Sequence, residues 1–151
     1  MTTVVDTTHF FIYPGTSEPE AAPTGFLDDA TEAEWDVLLS YVQTRHVRAG
    51  EPIFAEGDAD RALYLLTVGR LEQSSGRGPF ATLDAPAPLN ELAFLDGDRC
   101  ATTARAIDDG ELVRLGYDAF ESLAAREPFL ARRILLDLGA MVARALRSAR
   151  T

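Results

Sequence analysis

The stretch Ala49–Glu72, AGEPIFAEGDADRALYLLTVGRLE, alternates turn residues with short apolar runs. Gly50 and Gly57 mark turns on either side of a short strand, Pro52–Phe54, and a mostly apolar strand follows over Ala62–Gly69. Several short strands separated by glycine turns are typical of a β-sandwich, a jelly roll or a small barrel. The stretch therefore predicts that the middle of the chain is β-structure.

The strand pattern extends in both directions, from Arg45 to about Leu115. The sequence SSGRGP at Ser74–Pro79 predicts a hairpin loop between two strands, and Glu111–Tyr117 is predicted to be the last strand. The chain is therefore expected to be mainly β with flanking α-helices.

A helix is predicted before the strands. Thr31 and Glu34 have the spacing of a capping box, in which each side chain accepts a hydrogen bond from the other residue's backbone N–H. Apolar residues then recur at i, i+3, i+4 and i+7, which predicts a buried stripe, and the helix is expected to end near Thr44. The stripe consists of Trp35, Leu38, Leu39 and Val42.

Two helices are predicted after the strands. The first covers Asp118–Arg126, and Pro128, at a favoured first-turn position, opens a longer one that runs to about Arg150. The apolar stripe of the longer helix either packs on the β-structure or continues into a dimer or partner contact. The partner-contact interpretation assigns that role to Leu138, Met141, Val142 and Leu146.

Composition narrows the class of protein. The 151 residues suggest one domain, and a net charge of −10 argues against general nucleic-acid binding, which needs cationic surface. No apolar run approaches the roughly 20 residues of a membrane span. The N-terminus lacks the basic start of a secretory signal, so a cytoplasmic location is expected. The single cysteine, Cys100, is interpreted as a small buried hydrophobe.

Residues 1–25 differ from the rest of the chain. A strand-like sequence, VVDTTHFFIY, precedes a proline-rich, linker-like one, PGTSEPEAAPTG. We interpret them as an extended N-terminal arm ahead of a domain covering residues 26–151, and the arm docks either on its own chain or on a partner. The arm residues predicted to contact a partner are Phe10, Phe11, Ile12 and Tyr13.

Catalytic and metal sites are not predicted. His9 and His46 stand alone, without the spacing of metal ligands. The chain has neither a GxSxG elbow nor a Walker loop. We therefore expect a protein that is not an enzyme and holds no metal.

Two segments together resemble the cyclic-nucleotide-binding domain family: Ala49–Glu72 and Asn90–Ala106, NELAFLDGDRCATTARA. The second occupies the place of the family's phosphate-binding cassette and is called the cassette below. The resemblance covers roughly residues 26–150. It implies a jelly-roll β-barrel with one N-terminal helix and two C-terminal helices.

The resemblance also implies a ligand, cAMP or cGMP, and roles for cassette residues. Glu91 matches the glutamate that accepts a hydrogen bond from the ribose 2′-hydroxyl, and Arg99 matches the arginine that binds the cyclic phosphate. The candidate ligand-binding residues are Glu91, Leu92, Ala93, Arg99, Cys100 and Ala101.

The cassette departs from the family pattern. Asn90 replaces a glycine that lets the backbone approach the ligand, so added bulk is expected there. The spacing from Glu91 to Arg99 is one residue short, and Asp96 and Asp98 lie beside the arginine. Arg99 therefore either points at a phosphate or is turned towards these two carboxylates.

Two functions follow from this reading. The favoured one is a non-catalytic module for protein interaction or assembly, with a weakened ligand pocket and either a partner protein or a homo-oligomer. The alternative is a genuine cAMP or cGMP sensor that signals to a partner protein through its C-terminal helix.

Overall fold

A computed structural model describes residues 26–149, and the N-terminal arm, with its four predicted partner contacts, lies outside them. The helices are α1 (Glu32–Leu39), α2 (Glu91–Asp96), α3 (Tyr117–Arg126) and α4 (Pro128–Ser148). The strands are β1 (Gln43–Val47), β2 (Pro52–Phe54), β3 (Ala62–Val68), β4 (Arg70–Ser75), β5 (Gly78–Asp84), β6 (Ala87–Leu89), β7 (Thr103–Ala106) and β8 (Gly110–Gly116).

The strands form two antiparallel four-stranded sheets. Their orders are β1-β8-β3-β6 and β2-β7-β4-β5, so the chain passes from one sheet to the other at every connection except that between β4 and β5, an arrangement typical of a jelly roll. The predicted fold class is confirmed, although within residues 26–149 the strands make two sheets and not one closed barrel. The predicted hairpin is also present, because β4 and β5 pair around Gly76 and Arg77.

The first helix is shorter than predicted. The capping box of Thr31 and Glu34 is present, but the helix ends at Leu39, and the region near Thr44 belongs to β1. There Gln43 pairs with Arg114 of β8. The apolar repeat continues past the helix end, because Val42 still packs against the same buried cluster as Trp35 and Leu38, and this contact does not require helical backbone.

Two clusters of buried side chains share one sheet. The helix core lies between the helices and the first sheet and includes Trp35, Leu38, Leu63, Leu65 and Leu138. The inter-sheet core lies between the two sheets and includes Phe54, Tyr64, Leu66, Leu71 and Leu112. Successive residues of β3 point to opposite faces, and therefore this strand contributes to both cores.

The long helix α4 is fixed to the rest of the domain by polar contacts as well as packing. Asp137 accepts a hydrogen bond from the backbone N–H of Leu27 at 2.8 Å, and Arg133 pairs with Glu34 of α1 at 2.7 Å. Over residues 26–149, neither this helix nor any other is long and apolar enough to cross a bilayer.

Candidate ligand-binding site

The helix α2 connects the two sheets, since it follows β6 of one and precedes β7 of the other. Its N-cap, Asn90, has φ 66° and ψ 25°, in the left-handed region. Asparagine is one of the few residues other than glycine that adopt this conformation readily. The substitution of glycine by asparagine thus keeps the backbone shape that this position needs.

The side chain of Asn90 lies against the start of β3. Its Nδ2 donates to the carbonyl oxygens of Asp60, at 3.0 Å, and Ala62, at 2.8 Å, and the residue is only 7% exposed. The expected bulk at this position is therefore taken up by hydrogen bonds to a neighbouring strand.

Glu91 is half-buried at the first position of α2. Burial raises the pKa of its carboxyl group, and a hydrogen bond from its own backbone N–H opposes this only in part. Within residues 26–149, no other group donates a hydrogen bond to this carboxylate. A desolvated acceptor of this kind is suited to a hydroxyl donor from a ligand.

The guanidinium of Arg99 is exposed, and its Nη1 donates to the carbonyl oxygen of Gly57 at 3.0 Å. The neighbouring carboxylates accept from backbone amides instead: Asp96 from the N–H of Asp98, at 2.8 Å, and Asp98 from the N–H of Arg99, at 2.7 Å. The ion pairs within residues 26–149 do not include Arg99. The alternative in which the arginine is turned to these carboxylates is thus not what the structure shows.

Cys100 is buried, and its Sγ lies 3.8 Å from the carbonyl oxygen of Asp60. The predicted burial is confirmed, and burial, followed by the charges of Asp60 and Asp58, raises the pKa of its thiol. Of the other candidate residues, Ala93 is buried, whereas Leu92 and Ala101 are exposed.

Sequence reasoning missed the segment that holds the cassette in place, which runs from Gly57 to Arg61. Asp60 binds Asn90 and Cys100 through its carbonyl oxygen, and its carboxylate accepts from the Tyr64 hydroxyl and, at 2.7 Å, from Arg114 Nη2. Burial and the hydrogen bond to Asp60 raise the pKa of Tyr64 to about 12.

Arg61 completes this segment. Its Nε donates to the carbonyl of Phe94, at 3.0 Å, and its Nη2 to that of Leu95, at 3.2 Å. These carbonyls end α2, where they have no partner within the helix. The guanidinium also lies 3.5 Å from the ring centroid of Tyr117, in a cation–π contact. Arg61 therefore fixes the C-terminal end of the cassette helix.

The predicted partner surface on α4 requires one correction. Leu138 has 0% exposure because it lies on the face that packs into the helix core, so it is not available to a partner. Met141 and Val142 are partly buried, and Leu146 is 64% exposed. Exposed apolar residues that the sequence reading missed lie on the same helix: Phe129, Leu135 and Leu136.

Within residues 26–149, His, Cys, Asp and Glu side chains nowhere gather in groups of three that could hold a metal ion.

A family model described as "Cyclic nucleotide-binding domain" matches residues 44–127. The chain is 36% identical over 121 residues to the cyclic AMP receptor protein of Thermus thermophilus, covering 77% of this chain and 54% of the receptor. The chain thus spans about half the length of that relative.

Solved structures of this family have the same fold as the chain. The crystal structure of the Thermus thermophilus catabolite activator protein matches with a TM-score of 0.72 and 31% identity, covering 83% of this chain and 60% of that one. A cyclic nucleotide-binding domain from Methylobacillus flagellatus has the same TM-score at 24% identity, covering 78% and 69%, and this shows a shared fold. The chain is also 32% identical over 104 residues to the lysophospholipase nte1 of Neurospora crassa, a match that covers 66% of this chain but 7% of that protein.

Proposed function

The chain belongs to the cyclic nucleotide-binding domain family, and on that premise we propose that it is a receptor module for cAMP or cGMP. The observation that carries the proposal is the state of Arg99. Its guanidinium is exposed and held by one neutral carbonyl, and no ion pair within residues 26–149 competes for it. This reverses the order of the two functions favoured by the sequence.

The proposed role of Arg99 is to bind the cyclic phosphate. A phosphate offers the guanidinium an opposite charge and frequently accepts two parallel N–H bonds, whereas a backbone carbonyl is neutral. Exchange of the Gly57 carbonyl for a phosphate oxygen is therefore favourable, and it requires no ion pair to be broken. The carboxylates of Asp96 and Asp98 stay engaged with backbone amides during this exchange.

The proposed role of Glu91 is to accept a hydrogen bond from the ribose 2′-hydroxyl. Its carboxylate is half-buried, and no other residue within 26–149 donates a hydrogen bond to it. A hydroxyl donor from the ligand would recover part of the desolvation cost. The remaining candidates, Leu92, Ala93, Cys100 and Ala101, form the nearby backbone of the proposed site.

Thermal unfolding of the whole chain with cAMP, cGMP or 5′-AMP tests the proposal. A ligand at 100 times its Kd stabilises the fold by about 2.7 kcal/mol, or roughly 5–10 °C for a domain of this size. We expect a shift with at least one cyclic nucleotide, little shift with 5′-AMP, and loss of the shift in Arg99→Ala. Absence of any shift at millimolar cyclic nucleotide contradicts the proposal.

A second function is supported by the surface of α4. Phe129 is 79% exposed and Leu136 is 59% exposed, and such apolar surface is a feature of contact sites. We propose that this surface contacts a partner protein or a second copy of the chain, so that the module reports through α4. If cyclic nucleotides fail to bind and this surface still mediates association, the interaction module is the better description.

A further inference from the structure

The surface of the domain has a cavity of about 420 Å³. The residues that line it do not include any residue of the cassette. It lies where β1 begins, β8 ends and α3 begins. Its volume is within the range of small-molecule sites, about 300–1,000 Å³. Its walls include two tyrosines, Tyr41 and Tyr117, and two arginines, Arg61 and Arg114.

Both arginines line this cavity and have further N–H groups that could bind a ligand. Arg114 uses Nη2 for Asp60, and Arg61 uses Nε and Nη2 for the end of α2. A guanidinium has five N–H donors, so each arginine keeps N–H groups beyond those bonds. Gln43, which pairs with Arg114 across β1 and β8, adds an amide to the same wall.

The start of α3 adds backbone donors. Its N-cap, Gly116, has no side chain to accept from the first turn, and the N–H of Tyr117 is already bound to the Arg61 carbonyl at 3.0 Å. The amides of Asp118 and Ala119 follow in the same turn, whose N–H groups have no acceptor within the helix. Both residues line the cavity.

We propose that this cavity is a second ligand site, which binds a small organic monocarboxylate. The carboxylate faces the Arg114 guanidinium and the first turn of α3, and the apolar body lies against Tyr41 and Tyr117. Asp60 and Asp118 offset the charges of the two arginines, so a multiply charged anion is disfavoured, and recognition of a monocarboxylate rests on N–H groups that bind its oxygens.

The site also has a structural link to the cassette. Arg61 donates a hydrogen bond to the C-terminal end of α2. Arg114 binds the carboxylate of Asp60, and the carbonyl oxygen of Asp60 accepts a hydrogen bond from the Asn90 side chain. Binding in the cavity is nevertheless independent of the nucleotide proposal, because none of the proposed contacts uses Glu91 or Arg99.

Titration of the ¹⁵N-labelled chain with benzoate, followed by NMR, tests the proposal, with neutral benzamide as the matched control. We expect saturable shifts of the Gly116, Asp118 and Ala119 amides with benzoate alone. Gln43→Glu places a carboxylate opposite Arg114 and should weaken binding by at least about tenfold, or 1.4 kcal/mol. Gln73→Glu, on β4 of the other sheet, should leave it unchanged.

Three results would overturn the proposal: no saturable shift with benzoate, equal shifts with benzamide, or shifts confined to the region of Gly57 and Arg99. The last result would mean that the anion binds the cassette. Because Gln43 is exposed at the start of β1, failure of this variant to fold is not expected, and its spectrum without ligand provides the check.

Discussion

Arg99 Nη1 lies 3.0 Å from the carbonyl oxygen of Gly57, so the cassette arginine is held by the turn before β3 and not by its acidic neighbours. Gly57 in turn donates its N–H to the carbonyl of Cys100 at 2.8 Å. The backbone bond positions the chain around Arg99, while the side-chain bond leaves the guanidinium at the surface. The loop is thus held by a backbone hydrogen bond, and the guanidinium of Arg99 stays available to a ligand.

The two arginines of this region should therefore differ in their effect on stability. We expect Arg99→Ala to change the free energy of unfolding by no more than about 0.5 kcal/mol, because the side chain is exposed. Arg61→Ala removes two hydrogen bonds and a cation–π contact and should cost about 2 kcal/mol. Urea unfolding without ligand at pH 7 measures both. Equal losses would contradict this division.

Substitutions of Asn90 should rank in an unusual order. Asn90→Gly keeps the left-handed backbone but loses two hydrogen bonds, and we expect a loss of about 1–2 kcal/mol. Asn90→Ala loses the same bonds and adds a left-handed strain of about 1–2 kcal/mol. Alanine should thus be worse than glycine, the reverse of their order inside helices. Chemical denaturation of both variants decides this, and the opposite order would refute the backbone argument.

Glu91→Gln should stabilise the free protein at pH 7. Because burial raises the pKa of Glu91, the folded chain holds this proton more tightly than the unfolded chain. The stability linked to it is fully present below the unfolded pKa, about 4.3, and is lost as the pH rises through the folded pKa. The neutral variant escapes this loss.

Melting curves from pH 3 to pH 8 check the Glu91 prediction. The variant should melt above the wild type at pH 7, and the difference should shrink below about pH 4, where both side chains are neutral. Glu121→Gln, at an exposed position of α3, is the control. A difference between wild type and Glu91→Gln that does not vary with pH would speak against a desolvated carboxylate.

Tyr64→Phe should remove a component of alkaline stability. The Tyr64 hydroxyl donates to Asp60, and a hydrogen bond to a charged group is worth about 1.5–3 kcal/mol. Because its pKa is raised to about 12, this contribution is present below the unfolded value of about 10 and is lost as the pH rises through about 12. The variant should be less stable at pH 8 and lack that component of the alkaline decline. Urea unfolding at pH 8 and at about pH 12 tests this, with Tyr41→Phe as control.

The exposed surface of α4 should govern association. We expect light scattering to give the wild-type chain a dimeric mass and Leu136→Glu a monomeric one, because a buried unpaired charge opposes contact. The monomeric variant should keep the far-UV spectrum of the wild type, since Leu136 lies outside the helix core, and its melting temperature should not depend on protein concentration. Phe80→Glu, at an equally exposed apolar residue of β5, should remain dimeric. A monomeric wild type would contradict this prediction.

Local sequence patterns predicted most of the fold. Glycine turns and apolar runs predicted the strands around β2 and β3, and Pro128 predicted the start of α4, because these signals act within a few residues. The predicted end of α1 was wrong because β1 forms by pairing with β8, and a local pattern does not show this contact. Gln43 and its partner Arg114, for example, are about 70 residues apart in sequence.

The candidate site was harder to predict for the same physical reason. The family pattern directs attention to Glu91 and Arg99, but Asp60 and Arg61 act through residues about 30 positions away. Likewise, an apolar stripe does not show which of its members its own chain covers, and Leu138 was assigned to a partner surface although it is fully buried.

The strand β3 separates the two cores, and we expect the interfaces on its two faces to open independently. Leu63 and Leu65 face the helices, while Tyr64 and Leu66 face the second sheet. Displacing α4 would uncover one side of the strand and leave the other side packed, so the helices can change position without loss of the sandwich. Amide exchange should therefore occur in two steps, with α4 exchanging at a lower free energy than the strands.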